Sequence, residues 1–263
     1  MRLAISEDGK EIGEVVSIPT PQDFDQAIAD FLDAAQTLAV GHKFMAAVGG
    51  IREVLSKDKS MLVNEPKHSS IPDWIGKPIR EKLQRELGCP VYLENDAALV
   101  GLGEATHGAG VGFKIVAYIT VSTGVGGARI VNCKIDHNCW GFEPGNQIID
   151  YKEKVYLEDI ISGESLEKKY GRQSYTITDA TVWDKEARIL AAGLNNVIVF
   201  WSPDIVVLGG GVMESIPIEK VKTYLKELDR IFPNLPSIVR AKLNDKGGLY
   251  GALEYLKACY RDS

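Results

Sequence analysis

Hydrophobic positions along this chain follow two periods, and each change of period marks an element. Leu3-Ala-Ile-Ser6 and Glu11-Ile-Gly-Glu-Val-Val-Ser-Ile18 flank Glu7-Asp-Gly-Lys10, which predicts a hairpin turning at Asp8-Gly9. Phe24, Ala27, Ile28, Phe31, Leu32 and Ala35 then recur at helical spacing, with Thr20 the expected N-cap and Pro21 the expected first helical residue. Residues 44–48 read as a strand leading into Gly49-Gly50, and 66–78 as a loop of Pro, Ser and His around Trp74, of a kind that can cover a ligand. Val91 and Leu93 belong to a strand that ends at Asn95-Asp96, where small apolar residues from Ala97 onward switch the pattern to a helix. Beyond it the pattern predicts a buried strand at 115–121, a glycine-rich turn at 122–127, a strand near 128–135 and a polar loop. Helices near 156–170 and 184–201, a strand at 204–208 and a closing helix over 250–260 follow. No disordered linker interrupts this alternation, so the class is α/β.

Composition narrows the function. The 263 residues are 45% hydrophobic and 25% charged, enough for a soluble globular protein of one large or two modest domains. A net charge of −6 argues against a general nucleic-acid or membrane-surface role, because phosphate-rich surfaces demand a basic face. Met1 to Lys10 has no apolar leader core, and no apolar run is long enough to span a bilayer, so a cytoplasmic location is expected. Cys89, Cys133, Cys139 and Cys259 are few and scattered, which fits a reduced compartment. Cys133, His137 and Cys139 supply three metal ligands without a fourth nearby, and a strand or loop role is the preferred reading.

Candidate chemistry concentrates in two places. Asp96 sits at a strand-to-helix corner, where it serves either as a helix N-cap or as a general base that accepts a hydroxyl proton. Ser122-Thr-Gly-Val-Gly-Gly127 bends a buried strand sharply and is read either as a plain hairpin or as a turn whose free N–H groups face an anion. An acid together with an anion nest points to phosphoryl transfer.

Glu94-Asn-Asp-Ala97 with Glu104, Thr123-Gly-Val-Gly-Gly127 and Ser202-Pro-Asp-Ile-Val-Val-Leu-Gly-Gly-Gly-Val212 resemble, in order and spacing, the ROK family of sugar kinases and related transcriptional repressors. The likeness runs from Met1 to Gly248-Leu-Tyr-Gly-Ala252. It implies an actin-like ATPase (ribonuclease H-like) fold of two lobes with a ligand cleft between them. Residues 1–97 would form the N-terminal lobe, completed by a C-terminal helix over 250–263, and 98–249 the C-terminal lobe. It further implies ATP and Mg2+, a hexose or N-acylhexosamine acceptor, and Asp96 as general base. Gly49, Asn95, Asp96, Glu143, Asn146 and Glu158 match the family's sugar-binding positions. Thr123, Gly124, Gly126 and Gly127 match its second phosphate turn, and Gly209, Gly210 and Gly211 its adenosine-side turn.

Three departures from the family pattern bear on function. Asn146 replaces the histidine of the family's sugar motif, and Asp150-Tyr-Lys-Glu-Lys-Val-Tyr156 stands where many members carry a cysteine-rich zinc loop, so no structural zinc is expected. The family's opening strand and Asp-x-Gly-Gly-Thr phosphate loop have no counterpart, because Met1-Arg-Leu-Ala-Ile-Ser6 matches the segment just after them. The expectation is a natural start upstream of Met1. The alternative is a catalytically impaired sugar-binding pseudokinase or sensor. A repressor needs a winged helix-turn-helix, for which no room is expected. Inorganic polyphosphate stays open as donor, and the family's frequent dimers leave a homodimer open.

Overall fold

The structure is a computed structural model and describes residues 1–65, 67 and 69–261; Pro66 and His68 of the expected loop lie outside them. The chain divides into two compact units, one of Met1–Gly103, His137–Gly141 and Gly248–Ser263, the other of Glu104–Asp136 and Phe142–Gly247. The division thus falls after Gly103 rather than after residue 97.

In the first unit β1 (Arg2–Ala4) and β2 (Val15–Ser17) pair antiparallel. Asp8 Oδ1 accepts the N–H groups of Lys10 and Glu11 at 2.8 and 3.0 Å, which closes the expected turn. Helix α1 (Phe24–Ala39) starts later than the sequence suggests. Asp23 is its N-cap, accepting Gln26 N–H at 2.8 Å, whereas Thr20 Oγ1 receives the Met1 ammonium. Strand β3 (Ala47–Ile51) is also displaced, so that Gly49 and Gly50 lie inside the strand instead of after it. It pairs in parallel with β4 (Val91–Asn95), and α2 (Ile79–Leu87) precedes β4. Trp74 is core rather than ligand cover. It is 6% exposed, packs edge-on against Phe24 at 5.7 Å and donates from Nε1 to Pro21 O at 3.3 Å.

Helix α3 (Asp96–His107) follows β4 directly. The second unit is built on a five-stranded sheet in which β5 (Ile115–Val121), β6 (Val125–Val131) and β7 (Lys134–Ile135) run antiparallel. The single strand expected at 128–135 is thus two, because Asn132 and Cys133 both adopt positive φ (50° and 57°) and reverse the chain in a tight turn. A short pair, β8 (Ile148–Asp150) with β9 (Val155–Tyr156), comes next. The helix expected at 156–170 breaks at Ser162 into α4 (Glu158–Ile161) and α5 (Gly163–Tyr170), because Gly163 N–H bonds Ser122 O at 2.6 Å while Ser162 Oγ caps α5.

Helix α6 (Ala180–Trp201) leads to β10 (Ile205–Gly209), then α7 (Ile218–Leu228), β11 (Ser237–Arg240) and α8 (Gly247–Arg261). Strand β10 lies between β5 and β11 and is parallel to both. Val206 and Leu208 of β10, Leu190 and Leu194 of α6, and Val221 and Leu225 of α7 share one buried core. Among the described residues no helix is long and apolar enough to cross a membrane.

Glu104, fully buried, fixes the end of α3. Oε1 accepts Lys242 and Leu243 N–H at 2.9 and 2.7 Å, and Oε2 accepts Ala109 N–H at 2.8 Å. Orphaned buried donors cost about 1–3 kcal/mol each, so Glu104→Ala should lose on the order of 3 kcal/mol, read as a lower urea midpoint with an unchanged m-value.

Candidate active site

In the first unit the site candidates stand where β3 and β4 end. Gly50 pairs with Glu94 and Ile51 with Asn95, and a Cβ on Gly50 would lie 3.4 Å from Asp96 Cα. Asn95, not Asp96, caps α3: its Oδ1 accepts Ala98 N–H at 3.1 Å. Asp96 is the first helical residue, and its Oδ1 accepts the adjacent Ala97 N–H at 2.7 Å. The cap reading of Asp96 is therefore replaced, and its carboxylate is solvent-exposed. Desolvation by surrounding protein raises the Asp96 pKa above the ordinary aspartate value, and Glu53 adds to the rise. The Ala97 N–H and the Arg52 charge oppose it. Exposure and desolvation coexist for a group open to water on one side.

Glu94 is a site residue that the sequence reading did not single out. It is 4% exposed, its Oε1 accepts Asn95 N–H at 2.9 Å, and its Oε2 pairs with the Lys59 ammonium. Lys59 Nζ also lies 5.8 Å from the centre of the Tyr255 ring. Burial first and Glu94 second push the Tyr255 hydroxyl up to about 12. The charged pair holds the Asn95–Asp96 corner from behind. The available signal was a glutamate at an inward-facing strand position, which must find a cation. Gly49 lies within β3 opposite Leu93.

In the second unit the phosphate-turn candidate is a tight hairpin. Val121 pairs with Val125, so Gly126 and Gly127 belong to β6, opposite Thr120 and Ile119. Ser122 N–H bonds Gly124 O at 2.8 Å and Val125 N–H bonds Glu158 Oε2 at 2.7 Å. The N–H groups of Thr123 and Gly124 make no hydrogen bond to a described residue. The Glu158 carboxylate thus closes this turn. A Cβ on Gly124 would stand 2.5 Å from Glu158 Oε2.

The same hairpin meets the triple glycine. Gly209 ends β10 level with Thr120, and Gly210 (φ 95°, ψ 151°) lies so close to β5 that a Cβ would fall 2.3 Å from Val121 O. Gly211 opens a short 3-10 turn, Gly211–Glu214, and a Cβ there would meet nothing within 4 Å. Both glycine turns therefore lie at the carboxyl ends of neighbouring parallel strands, where α/β sheets bind ligands. Glu143 and Asn146, both exposed, flank the buried turn Pro144–Gly145, and Asn146 N–H bonds Glu143 O at 3.1 Å. Phe142 bridges to Gly127, and Leu157 N–H bonds Gln147 O at 3.0 Å, so Glu143, Asn146 and Glu158 gather beside the hairpin.

Among the described residues no group of three or more His, Cys, Asp or Glu is arranged to hold a metal. Cys133 occupies the tight turn between β6 and β7, and Cys139 belongs to the other unit. A nucleotide's Mg2+ needs only one or two carboxylates, with phosphate and water completing its shell.

This architecture is the actin-like ATPase fold. The ROK family model matches residues 2–258, and the chain belongs to the ROK family. It is 30% identical to an uncharacterised protein of Clostridium perfringens over 207 residues, 70% of this chain and 69% of that one. A solved ROK hexokinase from Thermus thermophilus is 26% identical with a TM-score of 0.76, covering 97% of this chain and 94% of that one. A ROK family glucokinase from Streptomyces griseus, solved with glucose and AMPPNP, superposes with a TM-score of 0.79 at 21% identity over 97% and 95%.

Proposed function

We propose that this chain is a sugar kinase that transfers the γ-phosphoryl group of ATP to a hydroxyl of a hexose or N-acylhexosamine. The observation that carries the reading is Asp96: a carboxylate at the β4–α3 corner, not used as the helix cap, whose pKa desolvation raises above the ordinary aspartate value. Membership of the ROK family and likeness to a hexokinase and to a glucokinase solved with glucose and AMPPNP support it.

Asp96 removes the proton from the acceptor hydroxyl while that oxygen forms its bond to the γ-phosphorus. The bond from phosphorus to the β,γ-bridging oxygen breaks, and ADP leaves with that electron pair. Asn95, Glu143, Asn146 and Glu158 are the proposed hydroxyl ligands, with Gly49 presenting backbone. Asn95 keeps its Nδ2 donor for the sugar because its cap bond uses Oδ1. Thr123, Gly124, Gly126 and Gly127 are assigned to phosphate, with the Thr123 and Gly124 N–H groups as the donors, and Gly209, Gly210 and Gly211 to the nucleoside side. Mg2+, bound with ATP, neutralises part of the phosphate charge.

Coupled ADP release with Mg-ATP over a panel of hexoses and N-acetylhexosamines tests the proposal, with inorganic polyphosphate as a second donor. Sugar-dependent ADP release well above the no-sugar rate is expected. Tight sugar binding without it would instead make the chain a sensor, the reading toward which Asn146 in place of the family's histidine leans.

A further inference from the structure

The carboxyl end of β3 carries a charge that the sugar-kinase assignment leaves unused. Arg52 follows Ile51, and Ile51 is paired with Asn95, so Arg52 comes level with Asp96 where the two parallel strands end. Its side chain is 47% exposed, and its charge reaches the Asp96 carboxylate. Its ion pair with the neighbouring Glu53 is a loose one, since Arg52 Nε stands 3.9 Å from Glu53 Oε1, beyond hydrogen-bond length.

Glu53 is otherwise engaged. Its side chain is 9% exposed, Oε2 accepts Asn64 Nδ2 at 2.6 Å, and Oε1 accepts Ser69 Oγ, Ser70 N–H and Ser70 Oγ at 3.2, 3.0 and 3.1 Å. Glu53 also has a φ of 83°, a strained value for a residue with a side chain. The hydrogen bonds to Asn64, Ser69 and Ser70 hold it there. The strained residue fixes the backbone immediately after Arg52.

A cation next to a general base lowers that base's proton affinity, which works against deprotonating an alcohol. It is useful when an anion arrives at the same place. A guanidinium matches a carboxylate or phosphoryl group through two parallel N–H donors and sheds water more readily than an ammonium. We propose that Arg52 binds an oxyanion of a reactant at Asp96. Two sources share this chemistry: the phosphoryl group in flight, or a carboxylate or phosphate substituent on the acceptor sugar. The inference rests on the phosphotransfer reading of Asp96 and adds to it a residue that the family's sugar and nucleotide motifs do not include.

The test compares the wild type with Arg52→Met and Arg52→Lys on two matched acceptor pairs, N-acetylglucosamine with N-acetylmuramate and glucose with glucose 1-phosphate. Loss of one donor to a developing oxyanion costs about 100-fold or more. A fall of that size in kcat on every acceptor, with KM little changed and Lys restoring part of it, assigns Arg52 to the transferring phosphoryl group. A fall confined to N-acetylmuramate or glucose 1-phosphate assigns it to the sugar's own anion. Rates within about threefold of wild type on all four acceptors overturn the proposal. Arg52 is exposed, so an unchanged Tm in Arg52→Met is the folding control, and Arg52→Lys carries the test should that variant unfold. If the wild type phosphorylates nothing, calorimetric titration with N-acetylmuramate and glucose 1-phosphate separates the two ideas. Binding that depends on Arg52 sustains the oxyanion site and removes phosphotransfer, and binding indifferent to Arg52 removes both.

Discussion

Asp96→Asn should lower kcat by about 100- to 10,000-fold while leaving sugar affinity within roughly tenfold, the pattern of a general base that acts mainly in the transition state. The substitution keeps the side chain's size and its Oδ1 acceptor for Ala97 N–H, so the corner should be preserved. Stability should move the other way. The folded pKa of Asp96 is raised, so the folded state disfavours the charged form, and the penalty is present above the folded pKa and absent below the unfolded one. Asp96→Asn should therefore match or exceed the wild-type Tm at neutral pH, with any gain vanishing as pH falls through the raised pKa. The acid limb of wild-type kcat/KM should likewise lie above the ordinary aspartate pKa, because the base must be unprotonated to act. An Asp96→Asn variant that kept most of its kcat would remove Asp96 from the mechanism.

Gly210→Ala should be the most damaging change on the nucleotide side. Gly210 adopts φ 95° and ψ 151°, a region open in practice to glycine alone, at a cost of about 1–3 kcal/mol for any other residue. The new methyl would also lie 2.3 Å from Val121 O and 2.6 Å from Val121 C, both backbone atoms of a central strand. A flexible side chain could move aside; β5 cannot without disturbing its pairing with β6 and β10. We expect a fall in Tm and, in whatever folds, a raised KM for ATP with KM for sugar little affected. For stability, Gly211→Ala is the control, since its Cβ would enter open space. An equal fall in Tm from the two substitutions would contradict the close-approach argument.

The elements legible in the sequence were those whose period was long or whose punctuation was strong. The buried run 115–121 became β5 with the same bounds, and the polar-to-apolar switch at Asn95-Asp96 marked the β4–α3 junction, the helix starting at Asp96, one residue before the expected Ala97. Some signals were present and unread. Ile79, Leu83 and Leu87 recur every fourth residue between Pro78 and Gly88, and Val221 with Leu225 does the same after Pro217, in α2 and α7. Other features depend on contacts that no local pattern records. The start of α1 is decided by Asp23 outcompeting Thr20, whose hydroxyl pairs with the Met1 ammonium. The break at Ser162 is set by the hydrogen bond from Gly163 to Ser122, distant in sequence.

The site shows the same division. Residue types announced an acid at a corner and glycines at two turns, while their tasks came from geometry. Asn95 took the cap and left Asp96 to other work, Glu158 turned inward to close the hairpin, and Glu94 with Lys59 buttressed the corner. Arg52 was invisible in sequence because an arginine after an apolar strand is usually a solvated surface residue, and only the register to Asn95 puts it beside the base.

The most direct measurement of the central claim is mass-spectrometric analysis of the sugar after incubation with this chain and Mg-ATP. The account predicts a sugar carrying one added phosphoryl group, formed in equal amount with ADP and lost in Asp96→Asn. A sugar that binds yet is recovered unmodified, with ADP no higher than in its absence, would contradict it.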